Sequence, residues 1–125
     1  MAQTQSISNP QVSTPASPPS PVATKIRAQL QGSQALVRVL MRHDMETGQR
    51  KDANGKLIAA WFIQEVKATL NGKPVFQAQW GTGMAKDPYL QFNLKQAKAG
   101  DQLTLQWLDN RGLSRSDSIT LGDTP

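Results

Sequence analysis

From Thr24 onward the apolar residues fall at every second position, and a period of two restricts the chain to strands. Ile26, Ala28 and Leu30 alternate with Lys25, Arg27 and Gln29. After Gly32-Ser33, a second run places Val37, Val39 and Met41 on one face, with Arg38 and Arg42 on the other. Leu36 and Leu40 share that second face, so a partner or a second sheet is expected to cover it. The segment from Ala60 to Leu70 alternates less cleanly, because Trp61, Phe62 and Ile63 are apolar in succession. A strand buried on both sides, or one broken by a bulge, gives that signature.

Turn chemistry punctuates these runs. Asn71-Gly72-Lys73-Pro74 is expected to close a hairpin onto Val75 to Trp80, and Gly81-Thr82-Gly83 then breaks the ladder. Three further strands are expected at Pro88 to Lys95, Asp101 to Asp109 and Ser114 to Gly122, the last two joined through Asn110-Arg111-Gly112. About seven short strands separated by regular turn signals predict an all-β fold, an immunoglobulin-like antiparallel β-sandwich. Trp107 is the candidate for its buried central aromatic. No segment keeps a helical period.

The chain of 125 residues supports one domain, but its charge is unevenly spread. Residues 1–23 carry no charged side chain and hold five of the eight prolines. That stretch cannot bury enough apolar area to offset roughly 1–2 kcal/mol of backbone entropy per residue. The expected organisation is therefore a disordered Pro/Ser/Gln-rich arm over 1–23 and a globular domain over 24–125. The arm lacks the basic n-region and apolar h-region of a signal peptide, and no apolar run is long enough to span a membrane as a helix.

Composition excludes several chemistries. Cysteine is absent, which removes disulfides, thiolate ligands and any role in carrying a substrate on this chain's own sulfur. The net charge of +5 is interspersed with acids, as in Arg50-Lys51-Asp52 and Lys86-Asp87, rather than gathered into a basic cluster with aromatics. Nucleic acid is thus not an expected partner. With one histidine, His43, no two-His metal site can form within one subunit, and no Gly-x-Ser-x-Gly elbow accompanies it. His43 reads as a turn or interface residue. The carboxylate pairs Asp44/Glu46 and Asp109/Asp117 read as solvated loop charges or salt-bridge partners. Asp44, Glu46 and Asp52 lack the spacing of a calcium loop. No catalytic residue, cofactor or metal is expected.

What remains is surface. Met45 in a loop is suited to an adaptable contact. The trio Trp61-Phe62-Ile63 reads as a two-sided core strand, as an interface anchor, or as an edge paired by another chain. Between them lies an unusual order of residues: Met45-Glu46-Thr47-Gly48 with Arg50, then a turn through Asn54-Gly55 to Lys56-Leu57-Ile58. Leu70-Asn71-Gly72-Lys73-Pro74-Val75, Pro88-Tyr89-Leu90 and Asp109-Asn110-Arg111-Gly112 follow in sequence.

Together these motifs resemble the SoxZ family of the bacterial sulfur-oxidation system, from about Thr24 to Leu121. One departure is Asp44, which stands where the family usually has proline. The resemblance implies a non-catalytic, immunoglobulin-like subunit that forms a heterodimer with SoxY in the periplasm. SoxY holds sulfur intermediates covalently on a cysteine in a C-terminal Gly-Gly-Cys-Gly-Gly arm and presents them to the Sox enzymes. A chain without its own signal is then expected to be exported with a signal-bearing SoxY. Related pairs accompany quinoprotein dehydrogenases, so the substrate is left open. The expected partner-contact residues are Met45, Glu46, Thr47, Gly48, Arg50, Trp61, Phe62 and Ile63. Two other classes remain at this point: a free-standing β-sandwich binding module, and a redox enzyme such as a superoxide reductase, which needs a His/Cys iron site that these residues do not supply.

Overall fold

The computed structural model describes residues 21–122, so most of the expected arm at 1–23 lies outside the described residues. Seven strands follow in chain order: β1 (Lys25–Gln31), β2 (Gln34–Leu40), β3 (Ile63–Leu70), β4 (Lys73–Gln79), β5 (Tyr89–Leu94), β6 (Gln102–Asp109) and β7 (Ser114–Thr120). They form two antiparallel sheets, β1-β2-β5 and β4-β3-β6-β7. The chain crosses between the sheets after β2, β4 and β5, as in immunoglobulin-like sandwiches. No helix occurs among the described residues.

The alternation read from the sequence decides what fills the space between the sheets. Val37 and Val39 of β2, Val66 and Ala68 of β3, and Leu103, Leu105 and Trp107 of β6 all point inward and are buried. Trp107 is only 2% exposed, which places the expected central aromatic in the core. Phe76 of β4 and Phe92 of β5 stack with ring centroids 5.0 Å apart and close one side of the sandwich.

The irregular third strand has a specific cause. The β3–β6 register shifts between Ile63 and Glu65, so an extra residue at Gln64 reverses the parity of the strand. Ile63 and Val66 can then both face the core, although their spacing forbids this in an unbroken strand. Strand β3 also starts at Ile63 rather than at Ala60. The hairpin turn to β4 is tighter than expected, with Leu70 paired to Lys73 and only Asn71-Gly72 between them. Both turn residues have positive φ (51° and 83°), a combination that Asn and Gly tolerate best. Lys73 and Pro74 therefore belong to β4, not to the turn.

Candidate functional site: a buried carboxylate and the arm it holds

The long connection from β2 to β3 folds back on itself at one end of the sandwich. Glu46 pairs with Trp61 through reciprocal backbone hydrogen bonds of 2.6 and 3.0 Å, and Lys51 pairs with Leu57. The tip turns at Asn54-Gly55, where the Asp52 carboxylate accepts the N–H groups of Asn54 and Lys56 at 2.8 and 3.0 Å. The result is an irregular two-stranded arm whose outer half, Gln49 to Leu57, is solvent-exposed.

Gly48, the last residue of the Met-Glu-Thr-Gly motif, is required where the arm's two strands approach each other. Its φ is +88°, and a Cβ there would sit 3.3 Å from the Cβ of Ala60. An L side chain is disfavoured by the backbone angle and crowded by the facing strand. The glycine of the motif is thus a steric necessity.

A buried carboxylate ties the base of the arm to the sandwich. Asp109, the last residue of β6, is 2% exposed. Its Oδ1 accepts the N–H groups of Arg111 and Leu113 at 2.8 and 2.9 Å, which shapes the β6–β7 turn. Its Oδ2 lies 3.0 Å from His43 Nε2 and accepts the Trp61 indole N–H at 2.7 Å. His43 Nδ1 in turn accepts the backbone N–H of Met45 at 3.0 Å, so the ring proton resides on Nε2 and is donated to Asp109. Burial alone would push the Asp109 carboxyl up. The hydrogen bonds from His43, Trp61, Arg111 and Leu113 outweigh it and hold the group below the usual carboxylate range.

Aromatic packing completes the cluster. The His43 ring meets Trp61 and Trp107 edge-on at centroid distances of 4.9 and 5.3 Å. Arg111 lies 4.5 Å above the Trp61 ring, a cation over an aromatic face. Asn110 adds a second clamp: its amide oxygen accepts the Phe62 N–H and its nitrogen donates to the Ala60 carbonyl, both at 2.9 Å. The 109–112 motif and the 60–62 segment, distant in sequence, are one structural unit.

Chemically this cluster is full. Both His43 nitrogens are engaged and its side chain is 2% exposed, so no lone pair faces a substrate as a general base would require. The cluster builds shape. Asp109, like Asp117, was expected to be a solvated loop charge or a salt-bridge partner. It is instead buried beneath the arm, while Asp117 is held by Arg115 and by the Thr24 N–H.

The expected contact residues divide into two groups. Met45 is 4% exposed and Ile63 fully buried. Met45 adopts φ +52°, turns its thioether inward and places its sulfur 3.3 Å from the Ile63 N–H. These two support the arm from below, whereas Glu46, Thr47, Gly48, Arg50, Trp61 and Phe62 lie at least partly at the surface. Arg50 grips Glu46 through two hydrogen bonds, which holds the Glu46 carboxyl below its ordinary range. A groove of about 440 Å³ runs between this ion pair and the Met84–Lys86 segment. The cluster members missed by sequence reading are Asp109 and His43 as partners. Their one signal was the Asp-Asn-Arg-Gly turn, whose first residue is suited to accept from its own backbone.

Fold and site define an immunoglobulin-like sandwich with a projecting arm and a polar core that orders structure. Solved structures share this architecture. A superoxide reductase in its oxidized state matches at TM-score 0.57 and 16% identity, covering 86% of this chain and 94% of its own. A hypothetical protein from Pyrococcus horikoshii OT3 matches at TM-score 0.55 and 14% identity, covering 86% and 93%. At such identities the likeness shows the fold alone. No curated protein matches the chain. The model of the sulphur oxidation protein SoxZ matches residues 24–120, almost the whole described sandwich, and the chain belongs to the SoxZ family.

Proposed function

We propose that this chain is the non-catalytic half of a periplasmic carrier pair. It binds a SoxY-like chain, whose cysteine bears the sulfur intermediate, and forms part of the surface that visiting Sox enzymes meet. Family membership over residues 24–120 carries this reading. Two further observations support it. The chain has no cysteine with which to carry sulfur itself, and its single histidine is locked in a structural network. In this reading the arm supplies contacts through Glu46, Thr47, Gly48, Arg50, Trp61 and Phe62, with Met45 and Ile63 holding it in position.

The test is co-expression with the SoxY-like chain, followed by intact-mass measurement of the purified species. A stable 1:1 complex bearing sulfur adducts only on the other chain is the expected result. A monomer that ignores that chain, or turnover of a sulfur substrate by the isolated subunit, would sink the reading.

A further inference from the structure

The outer faces of the two sheets differ in how their charges are satisfied. On the four-stranded sheet, Glu65 is paired with Lys67 at 3.8 Å and accepts from Gln77 at 3.1 Å, and Thr104 bonds Ser118 at 2.7 Å. On the three-stranded sheet, Arg27 of β1 stands directly opposite Arg38 of β2, and Gln91 of β5 follows in the same row. The next row is Lys25, Leu40 and Tyr89. Like charges directly across a strand pair destabilise the pair. Among the described residues neither Arg27, Arg38 nor Lys25 has a carboxylate partner.

Apolar area accompanies this unpaired charge. Leu36 and Leu40 are only half-buried on that face, and Tyr89 is 55% exposed. The face is also continuous with the root of the arm. The β2–β5 register runs on through Met41 N–H to Pro88 O at 3.0 Å and then to the Arg42–Asp87 pair at 3.4 Å. Among the described residues Asp87 is the one carboxylate along these rows, and Arg42 already holds it.

We propose that the outer face of the β1-β2-β5 sheet docks the SoxY-like chain through an acidic surface, with carboxylates opposite Arg27 and Arg38 and apolar side chains opposite Leu40 and Tyr89. This rests on the carrier-pair reading and extends its contact surface from the arm onto the sheet. Three observations select this occupant. A second copy of this chain would set basic rows against basic rows. Residues 1–23 carry no charged side chain and so offer no carboxylate as counter-ion. Continuity with the arm root lets one partner cover both, giving an area that neither provides alone.

The repulsion between Arg27 and Arg38 supplies a test with opposite signs. Arg27→Glu sets unlike charges across the β1–β2 pair, so the isolated subunit is expected to melt at a higher temperature than the wild type. The same substitution removes a docking charge, so the complex with the SoxY-like chain is expected to weaken roughly tenfold. Raising NaCl from about 50 to about 300 mM should weaken the wild-type complex, and the double variant Arg27→Glu/Arg38→Glu far less. Lys67→Glu, on the other sheet, serves as control and should leave the affinity unchanged. Wild-type affinity for the double variant, with Trp61→Ala weakening the complex, would overturn the sheet docking and leave the carrier pair standing. Failure of the wild-type chain to bind at all would remove both. Salt-reversible self-association of the isolated chain that the double variant abolishes would replace the partner by a second copy and overturn the proposal.

Discussion

Asp101 and Asp109 stand at opposite ends of β6, both buried and both held below the usual carboxylate range. Asp101 accepts from the Asn71 side chain and the Lys98 N–H, each at 3.0 Å. It serves the β3–β4 turn, where Asn71-Gly72 already has its own turn chemistry, and the connection from β5 to β6. Asp109 also shapes a local turn, but its second oxygen gathers His43 and Trp61 from the two roots of a long arm. The same residue type at two ends of one strand therefore staples one pole and erects a projecting structure on the other. The difference lies in what the second oxygen reaches. An arm with few inward apolar residues needs a polar hub, because an isolated two-stranded ribbon is marginal in water.

Trp107 calibrates this contrast, since its buried ring joins the apolar core to the His43 ring at the Asp109 pole. Trp107→Ala should lower stability by about 3–5 kcal/mol in denaturant unfolding. A midpoint close to wild type would show that the body does not depend on it. Asp109→Asn comes next. It returns one acceptor to the turn but sets an amide against N–H donors that had shared a carboxylate, at a cost of about 1.5–3 kcal/mol. Hydrogen exchange should quicken at Met45, Glu46 and Trp61 and leave the β4 amides unchanged. Asp101→Asn should cost less and leave exchange in the arm untouched; equal costs would erase the distinction between the poles.

Acid should collapse that distinction. A depressed folded pKa means that the Asp109 contribution is fully present above the unfolded value of about 3.9 and is lost as pH falls through the folded one. The stability gap between wild type and Asp109→Asn is therefore expected to shrink as pH drops below about 4. A gap that widened in acid would contradict the hydrogen-bonding account of the carboxylate. The smallest effect is expected at the arm surface, where Arg50 is exposed. Glu46→Gln breaks a solvated ion pair and should shift the melting midpoint within experimental scatter. A large shift there would show that the arm is braced from its surface as well as from Asp109.

Much of the sandwich was legible because a pleated strand exposes its faces with a period of two. Ile26, Val37, Leu103 and Trp107 could be assigned to faces without any knowledge of their neighbours. The broken alternation at Trp61-Phe62-Ile63 left a two-sided strand and a bulge both open, and the bulge lies just beyond it at Gln64. Less was legible at the arm. Met45 looked like a surface contact because it sits in a polar loop, yet a left-handed backbone turns its side chain into the core. Nothing local announces that inversion. Asp109 looked like a solvated or salt-bridged charge beside the last turn, yet it is buried and its second oxygen is satisfied by residues far away in sequence.

The amino-acid order by itself determined the strands, their inward faces, the tight turns and the family, because these depend on side-chain periodicity and on the φ preferences of Asn and Gly. Only the tertiary structure decided which side of the arm is interior and which polar groups share one buried oxygen. Those outcomes follow from distances between segments that meet when the two sheets close. A hydrogen bond between His43 and Asp109 has no counterpart in local spacing; it exists because β2 and β6 end at the same pole.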